Sequence, residues 1–412
     1  MAGISLGNNM NKITKIAFVI GLSVPFYNQA FAKDTLVVWE DVGKSHGIKQ
    51  AIEAFEKENN CEVVLSDSEY VGHIGKAEEA NEKGEQTPDI LMLPADRMGY
   101  AAKTGQIKPL AFMQQDKDLY IQGAIDAFTY NGQIYACPRS VETMVVYYNQ
   151  DLLKFPFESI DDYYNFSKEQ RANGKAGVIG KWDVFYFSYG IVSGYGGYVF
   201  GKNSDGTLNP EDIGLANDSA VKGLEYVKHF VDTTFPKDIV GDTGWTKIDE
   251  MFTKGEAAAV ITGPWMLETY AKSGINYGVA PLPKLPNGKY MNPFLGFRGY
   301  AISKYAKNEA LATKFMQFIN QPQYALTRYE QIQEIPPIKA VMELPLIKND
   351  DFANAVAEQS LHAEPTPSIP EMSMVWDPIN KAFYDAVSGA VPTKQALEDG
   401  VAKVKEAIEA AK

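Results

Sequence analysis

The strongest constraint on this chain is a switch of hydrophobic period that recurs from residue 34 onward. Short apolar runs, Leu36-Val37-Val38-Trp39 and Val63-Val64-Leu65, flank a longer segment, Ile48 to Glu58, in which Ile48, Ile52 and Phe55 share one helical face. Asn59-Asn60 supplies the stop. A third run, Asp89-Ile90-Leu91-Met92-Leu93, follows Pro88 and leads through Asp96 into a segment that ends at Gly105. Strand, helix and strand in this order bury their apolar faces when the strands are parallel and the helix packs across them. The fold class is therefore α/β.

The pattern continues with few interruptions. Asn131-Gly132 reads as a tight hairpin turn between Ala127-Phe128-Thr129 and Ile134-Tyr135-Ala136. A strand from Val141 to Tyr148 opens a second region with helices at Ser159 to Arg171 and Ser219 to Val231, the latter striped by Val221, Leu224, Val227 and Val231. Strands are expected at Ala257 to Ile261, Tyr277 to Ala280 and Gly299 to Ile302, a surface loop at Lys284 to Pro293, and largely helix over the last hundred residues. No Gly-, Ser- or Pro-rich linker separates the two regions. A chain that crosses between two bodies more than once, through strand-like hinges, explains this better than two beads joined by a tether.

At the N-terminus Lys12 and Lys15 precede an apolar run from Ile16 to Phe26, and Ala30-Phe31-Ala32 has the small-x-small form of a cleavage site. The run is about ten residues, half of what a membrane-crossing helix needs. Residues 1–32 are read as a signal peptide and Lys33 as the mature start, with Met1 and Met10 both open as the initiator. The remaining chain is too long for one core and has room for two or three domains. Cys61 and Cys137 both lie far from the cleavage point, so no lipid-bearing cysteine is expected there, and buried thiols are the default reading.

The net charge of −13 becomes more negative when Lys12 and Lys15 leave with the leader, which disfavours nucleic acid and anionic lipid as partners. The chain contains no phosphate-binding Gly-x-x-x-x-Gly-Lys-Ser/Thr, no Gly-x-Gly-x-x-Gly, no His-Glu-x-x-His and no Gly-x-Ser-x-Gly. His46, His73, His229 and His362 are scattered singly, without metal-ligand spacing. No cofactor, metal or catalytic residue is expected.

Aromatics, 12% of the residues with 23 tyrosines and 5 tryptophans, carry the positive signal. In Trp182-Asp183-Val184-Phe185-Tyr186-Phe187-Ser188-Tyr189 they interleave with a carboxylate. One reading is core packing. The other is a carbohydrate platform, in which rings stack on the C–H face of a pyranose while Asp183 and tyrosine hydroxyls meet its hydroxyl groups. Trp265 follows Gly263-Pro264 at a strand-to-helix turn, and Trp376 lies behind Ile369-Pro370-Glu371-Met372; each is balanced between burial and ligand contact. Asp96 with Arg97, and Glu142 after Arg139, are the charged candidates, Asp96 reading equally as a helix cap.

Taken together, Leu36-Val37-Val38-Trp39, Pro88-Asp89-Ile90 with Asp96-Arg97, Val141-Glu142 with Tyr148-Asn149-Gln150-Asp151-Leu152-Leu153, Gly196-Gly197-Tyr198, Gly263-Pro264-Trp265, Asn276-Tyr277-Gly278-Val279 and Ile369-Pro370-Glu371-Met372-Ser373 with Trp376 stand in a shared order and spacing. In this the chain resembles the maltose- and maltodextrin-binding proteins of bacterial ABC transporters, within the extracellular solute-binding proteins, from Lys33 nearly to the C-terminus. The resemblance implies a two-lobed periplasmic binding protein fold, each lobe a mixed sheet flanked by helices, with the ligand cleft between. It implies an N-terminal lobe of 33–140 and 295–344 and a C-terminal lobe of 141–294 and 345–412. A monomer would close on an oligosaccharide and deliver it to membrane permease subunits.

The same resemblance implies polar sugar contacts from Asp96, Arg97 and Glu142 and stacking from Tyr186, Phe187, Trp265 and Trp376. Trp245 stands where better-known members have a tyrosine, Lys44 aligns with a sugar-contacting lysine, and Asp183 matches a site glutamate after a small shift. Three departures mark the ligand as open. Gly43 stands where an acid is expected, with Asp41 or Glu40 as substitutes; Leu93 replaces a tryptophan; Asp377 and Asn380 replace a tyrosine and an arginine. The same role for another oligosaccharide or a polyol stays open. A glycoside hydrolase is the rival from another class, but no spacing selects its pair of carboxylates.

Overall fold

In the computed structural model, which describes residues 33–412, strand Asp34–Glu40 runs parallel to strand Cys61–Asp67 in one register, from Asp34 opposite Cys61 to Glu40 opposite Asp67. The leader read at residues 1–32 lies outside the described residues. Helix Lys49–Asn59 makes the crossover, entered through a 3₁₀ turn at Ser45–Ile48 and ended by Asn60 in the left-handed region, φ 48°. Its buried face is Ala51, Ile52 and Phe55. Strand Ile90–Pro94 adds to the other side of Asp34–Glu40, also parallel, and is buried throughout. The strand-helix-strand reading of this region therefore holds. The ten-residue strand Phe294–Ser303 pairs antiparallel with Ile90–Pro94 and also takes Ile107–Lys108, Cys137–Glu142 and Glu364–Pro365, completing a seven-stranded mixed sheet.

A second mixed sheet of four strands runs in the order Tyr277–Ala280, Val145–Asn149, Ala257–Thr262, Ala176–Gly180. Helix Ile160–Ala172 starts on Ser159, whose hydroxyl accepts the Asp161 amide at 3.1 Å, and helix Asp218–Thr234 starts on Asn217, which accepts the Ala220 amide at 2.7 Å. Leu224, Val227, Phe230 and Val231 are buried; the expected stripe gains Phe230, while Val221 is only half-buried. Helices Trp376–Val387 and Thr393–Ala410 close this half through Ile379, Phe383, Leu397 and Val404. The hairpin at Asn131-Gly132 is present, with both residues at positive φ, 48° and 75°, as a type I′ turn requires. Its strands are shorter than expected, Thr129–Tyr130 and Gln133–Ile134, because Ala127 ends a helix.

The single strand expected from Val141 to Tyr148 is two strands. Cys137–Glu142 belongs to the seven-stranded sheet and Val145–Asn149 to the four-stranded one, and the chain changes sheets at Thr143-Met144. Both residues of this step are buried, and Thr143 Oγ1 donates to the Phe294 carbonyl at 2.9 Å, lacing the outgoing crossing to the returning strand. The register of Phe294–Ser303 against Cys137–Glu142 slips between Arg298 and Gly299. Such a bulge turns the side chain beside it. At Gly99 the chains approach closely enough that a β-carbon would lie 2.1 Å from the Ser368 carbonyl oxygen, so helix Ala95–Lys103 meets the 368–370 segment backbone to backbone.

Candidate functional site

The carboxyl ends of parallel strands are where loops can gather side chains without breaking the ladder. Asp41 follows Asp34–Glu40, Tyr70 follows Cys61–Asp67, and Asp96 and Arg97 lie in the first turn after Ile90–Pro94. In the other sheet, Tyr186 and Phe187 follow Ala176–Gly180, and Trp265 follows Ala257–Thr262. These two sets line one cleft of about 670 Å³.

On the seven-stranded side the cleft is polar. Asp96 does not cap its helix; Pro94 holds the cap position. The Asp96 carboxylate instead accepts the Trp376 indole N–H at 2.9 Å and has Arg97 Nε at 3.6 Å. Burial raises its pKa, opposed by the Arg97 charge. Glu142, on the last residue before the sheet change, pairs with Arg298 Nη2 at 2.8 Å, and burial raises its pKa against the pull of that guanidinium. Arg298 also reaches Asp41, Nη1 to Oδ2 at 3.3 Å, and lies 4.4 Å over the Tyr70 ring. Asp41 too is raised by burial and lowered by Arg298.

Behind this layer is a second one that never meets the ligand space. Arg139, with no exposed surface, pairs with Glu40 and with Glu334, the latter at 3.0 Å. Burial raises the pKa of Glu334, but Arg139 and Arg298 outweigh it and hold the group below its ordinary value.

The other wall is aromatic. The rings of Tyr186 and Trp265 are 6.0 Å apart, Tyr186 and Trp376 6.3 Å, Phe187 and Trp245 5.4 Å, and Phe187 and Trp265 6.0 Å. The Tyr186 hydroxyl is buried and finds no hydrogen-bond partner among the described residues, a cost that a ligand hydroxyl would remove. Helix Phe185–Tyr195 sorts the aromatic segment into its two readings at once. Tyr186 and Phe187 line the cleft, whereas Trp182, Phe185 and Tyr189 are buried, Tyr189 stacking on Phe294 at 4.0 Å.

Of the residues singled out from the sequence, Asp96, Arg97, Glu142, Tyr186, Phe187, Trp245, Trp265 and Trp376 line the cleft. Two do not. Both oxygens of Asp183 are held by Lys181 Nζ, at 2.8 and 2.7 Å, and Oδ2 also accepts the Gly241 amide; the carboxylate is a buried structural clamp. Lys44 turns to Glu268, 3.8 Å away on the four-stranded side, and forms an ion pair between the two halves. Leu93 is buried in its strand. Asp377 and Asn380 line the cleft, and Asn380 Oδ1 accepts the Phe185 amide at the start of its helix. Among the residues that sequence reading missed are Tyr70 and Arg298; Arg298 bears the charge. Its one signal is a lone cation in the apolar run Phe294-Leu295-Gly296-Phe297-Arg298-Gly299-Tyr300.

Among the described residues, no group of three or more His, Cys, Asp or Glu is placed to hold a metal ion, and no helix is long and apolar enough to cross a membrane. Cys61 and Cys137 are buried.

The family model described as bacterial extracellular solute-binding protein matches residues 50–355. A galactooligosaccharide-binding protein of Bacillus subtilis (strain 168) is 39% identical over 379 residues, covering 91% of this chain and 90% of its own. A maltooligosaccharide ABC transporter solute-binding lipoprotein of Streptococcus pneumoniae (strain ATCC BAA-255 / R6) is 34% identical over 381 residues, covering 90% and 88%. The crystal structure of MalX from Streptococcus pneumoniae in complex with maltopentaose superposes with a TM-score of 0.84 at 33% identity, covering 90% of this chain and 100% of that one.

Proposed function

Because this chain belongs to the bacterial extracellular solute-binding proteins, we propose that it captures an oligosaccharide of the maltodextrin type by closing two lobes around it and hands it to the membrane permease of an ABC transporter. The lobes would be 33–140 with 295–344 and 141–294 with 345–412, strand Glu364–Pro365 of the latter reaching back to pair with the seven-stranded sheet, and the protein would act outside the cytoplasm, in a periplasm-like space, once residues 1–32 are removed. The observation that carries this reading is the division of the cleft. Asp41, Asp96, Glu142, Arg97 and Arg298 come from the seven-stranded side and the rings of Tyr186, Phe187, Trp245, Trp265 and Trp376 from the other, so a sugar that meets both sets favours the closed state.

The magnitudes agree with a shared task. Micromolar binding corresponds to about −8 kcal/mol. One aromatic face burying roughly 100 Å² contributes about 2.5 kcal/mol before association costs. Tyr186, Phe187, Trp265 and Trp376 together are needed, with hydroxyl bonds to Asp96, Glu142 and Tyr186 setting the orientation. Catalysis is not part of the proposal. Asp96 is engaged by Trp376 and Arg97, and Glu142 by Arg298, which suits carboxylates held as fixed acceptors for sugar hydroxyls.

Tryptophan fluorescence titration against maltose, longer maltodextrins, galactooligosaccharides and trehalose tests the ligand. A saturable response to maltodextrins supports the reading; silence toward every α-glucan with a response to a galactooligosaccharide would transfer the role to that ligand. This second reading is favoured by the 39% identity to a galactooligosaccharide-binding protein. Appearance of shorter sugars after incubation with maltotetraose would overturn the non-catalytic assignment.

Acid should separate affinity from stability. A sugar hydroxyl donates best to an ionised carboxylate, and Asp41, Asp96 and Glu142 have pKa values raised above 3.8, 3.8 and 4.5. As the pH falls, affinity should therefore begin to decline above the range in which ordinary carboxylates titrate. A group raised on folding contributes stability that is fully present below its unfolded pKa and lost as pH rises through the folded one. In the same window these three groups should make the ligand-free protein more stable. Glu334, lowered on folding, acts in the opposite sense, its contribution being lost at lower pH. Ligand titrations and thermal melts along a descending pH series give the comparison; parallel loss of both quantities would refute it.

A further inference from the structure

Behind the aromatic wall lies a second hollow of about 240 Å³, which shares Phe187, Trp245 and Trp265 with the cleft and runs between helix Gly244–Thr253 and strand Ala257–Thr262. We propose that this hollow is a subsite for one terminal, neutral hexopyranose unit of the oligosaccharide held in the cleft. The inference rests on the oligosaccharide reading given above and adds a place where the chain of sugars must end.

Four features carry it. The three shared rings border both spaces, so the hollow adjoins the ligand space. Trp245, at this border, is 49% exposed; its ring meets Phe187 in a T-shaped contact at 5.4 Å and has the Lys181 ammonium 5.4 Å from its centre. A large ring left half in water beside a ligand cleft is a surface for stacking.

The lining is also wrong for a packing defect, which is dry and apolar throughout. Ile248, Ile261 and Met266 give apolar walls, but Asp249 and Thr262 are among them. Asp249 Oδ1 accepts the Tyr270 hydroxyl at 2.9 Å, and its carboxylate has further lone pairs for a sugar hydroxyl.

The charge balance selects a neutral unit. Lys181 is the cation in the lining, and its three donors are directed at both Asp183 oxygens and the Gly241 carbonyl, at 2.7 to 2.8 Å. A phosphate or uronate entering the hollow would meet the Asp249 carboxylate with no uncommitted cation to offset it. Finally, the hollow is about a third the size of the cleft. It has room for one ring, which makes its occupant an end unit.

The test is a length series. Isothermal titration of the full mature protein with maltodextrins of two to seven units, or with galactooligosaccharides if those are what bind, should show affinity rising about tenfold at the length that first fills the hollow. Met266→Trp, which narrows the hollow, should reduce or abolish the step while shorter oligosaccharides bind within about twofold of wild type. Thr262→Val keeps the shape and removes the hydroxyl; it should shrink the step several-fold, and it serves as the second variant if the first folds poorly. Absence of a step in the wild type, or a step unchanged in either folded variant, overturns the subsite while leaving oligosaccharide binding intact. Failure of every oligosaccharide to bind overturns the reading beneath it as well.

Discussion

Replacing Trp376 by alanine should weaken oligosaccharide binding by roughly two orders of magnitude, the range of a central aromatic anchor at 2–4 kcal/mol. The residue has two tasks. Its ring completes the aromatic wall beside Tyr186, and its indole N–H bonds Asp96 across the cleft at 2.9 Å. Alanine removes both, and leaves a buried carboxylate with Arg97 alone, at 3.6 Å. Trp376→Phe separates the tasks, since it keeps a stacking face and loses the N–H. It should recover at least half of the lost binding energy if stacking dominates. Equal affinity of the alanine variant and wild type would remove Trp376 from the site, and unchanged thermal melting in both variants is needed to assign the loss to binding.

The largest effect on stability is expected at Arg139. Substitution by methionine leaves Glu40 and Glu334 buried without their main cation, and breaking a buried pair in this way costs about 3–5 kcal/mol. Neutralising the acids should give much of it back. Arg139→Met combined with Glu40→Gln and Glu334→Gln should be more stable than Arg139→Met alone, which is the non-additivity expected of groups in one network. Urea denaturation measures both. Arg139 does not line the cleft, so folded Arg139→Met protein should retain its ligand affinity in titrations well below its melting point. A fall in stability under about 1 kcal/mol would mean that the acids find other partners.

The parts of the fold legible in the sequence were those whose pattern is local. Ile48, Ile52 and Phe55 share a helix face wherever that helix is placed, and Asn131-Gly132 makes its turn from its own backbone preferences. The sheet change at Thr143-Met144 was not legible, because the two strands follow each other with only these two buried residues between them and no glycine, proline or asparagine marks a break. The cleft divides in the same way. Eight of its residues could be named because the family resemblance joined acids and aromatics that, taken singly, read equally well as packing or caps. Asp183 misled because the sequence cannot show that Lys181, two residues earlier, folds back onto it. Lys44 misled because its partner Glu268 is over two hundred residues away. Arg298 passed unnoticed because nothing in its neighbours announces the bulge that turns it toward Glu142 and Asp41.

The hydrogen bond from Thr143 to the Phe294 carbonyl ties two chain crossings side by side, one leaving the seven-stranded sheet and one returning to it. In mechanical terms such a pair is a flexure. It is stiff to sliding and to twist, and compliant to bending about the line through both crossings. Bending about that line would carry distant parts of each body together. A fluorophore attached far from the cleft on the four-stranded half and another on the seven-stranded half should accordingly report one midpoint in the same titration, which makes almost any surface position of this protein usable as a readout of its occupancy.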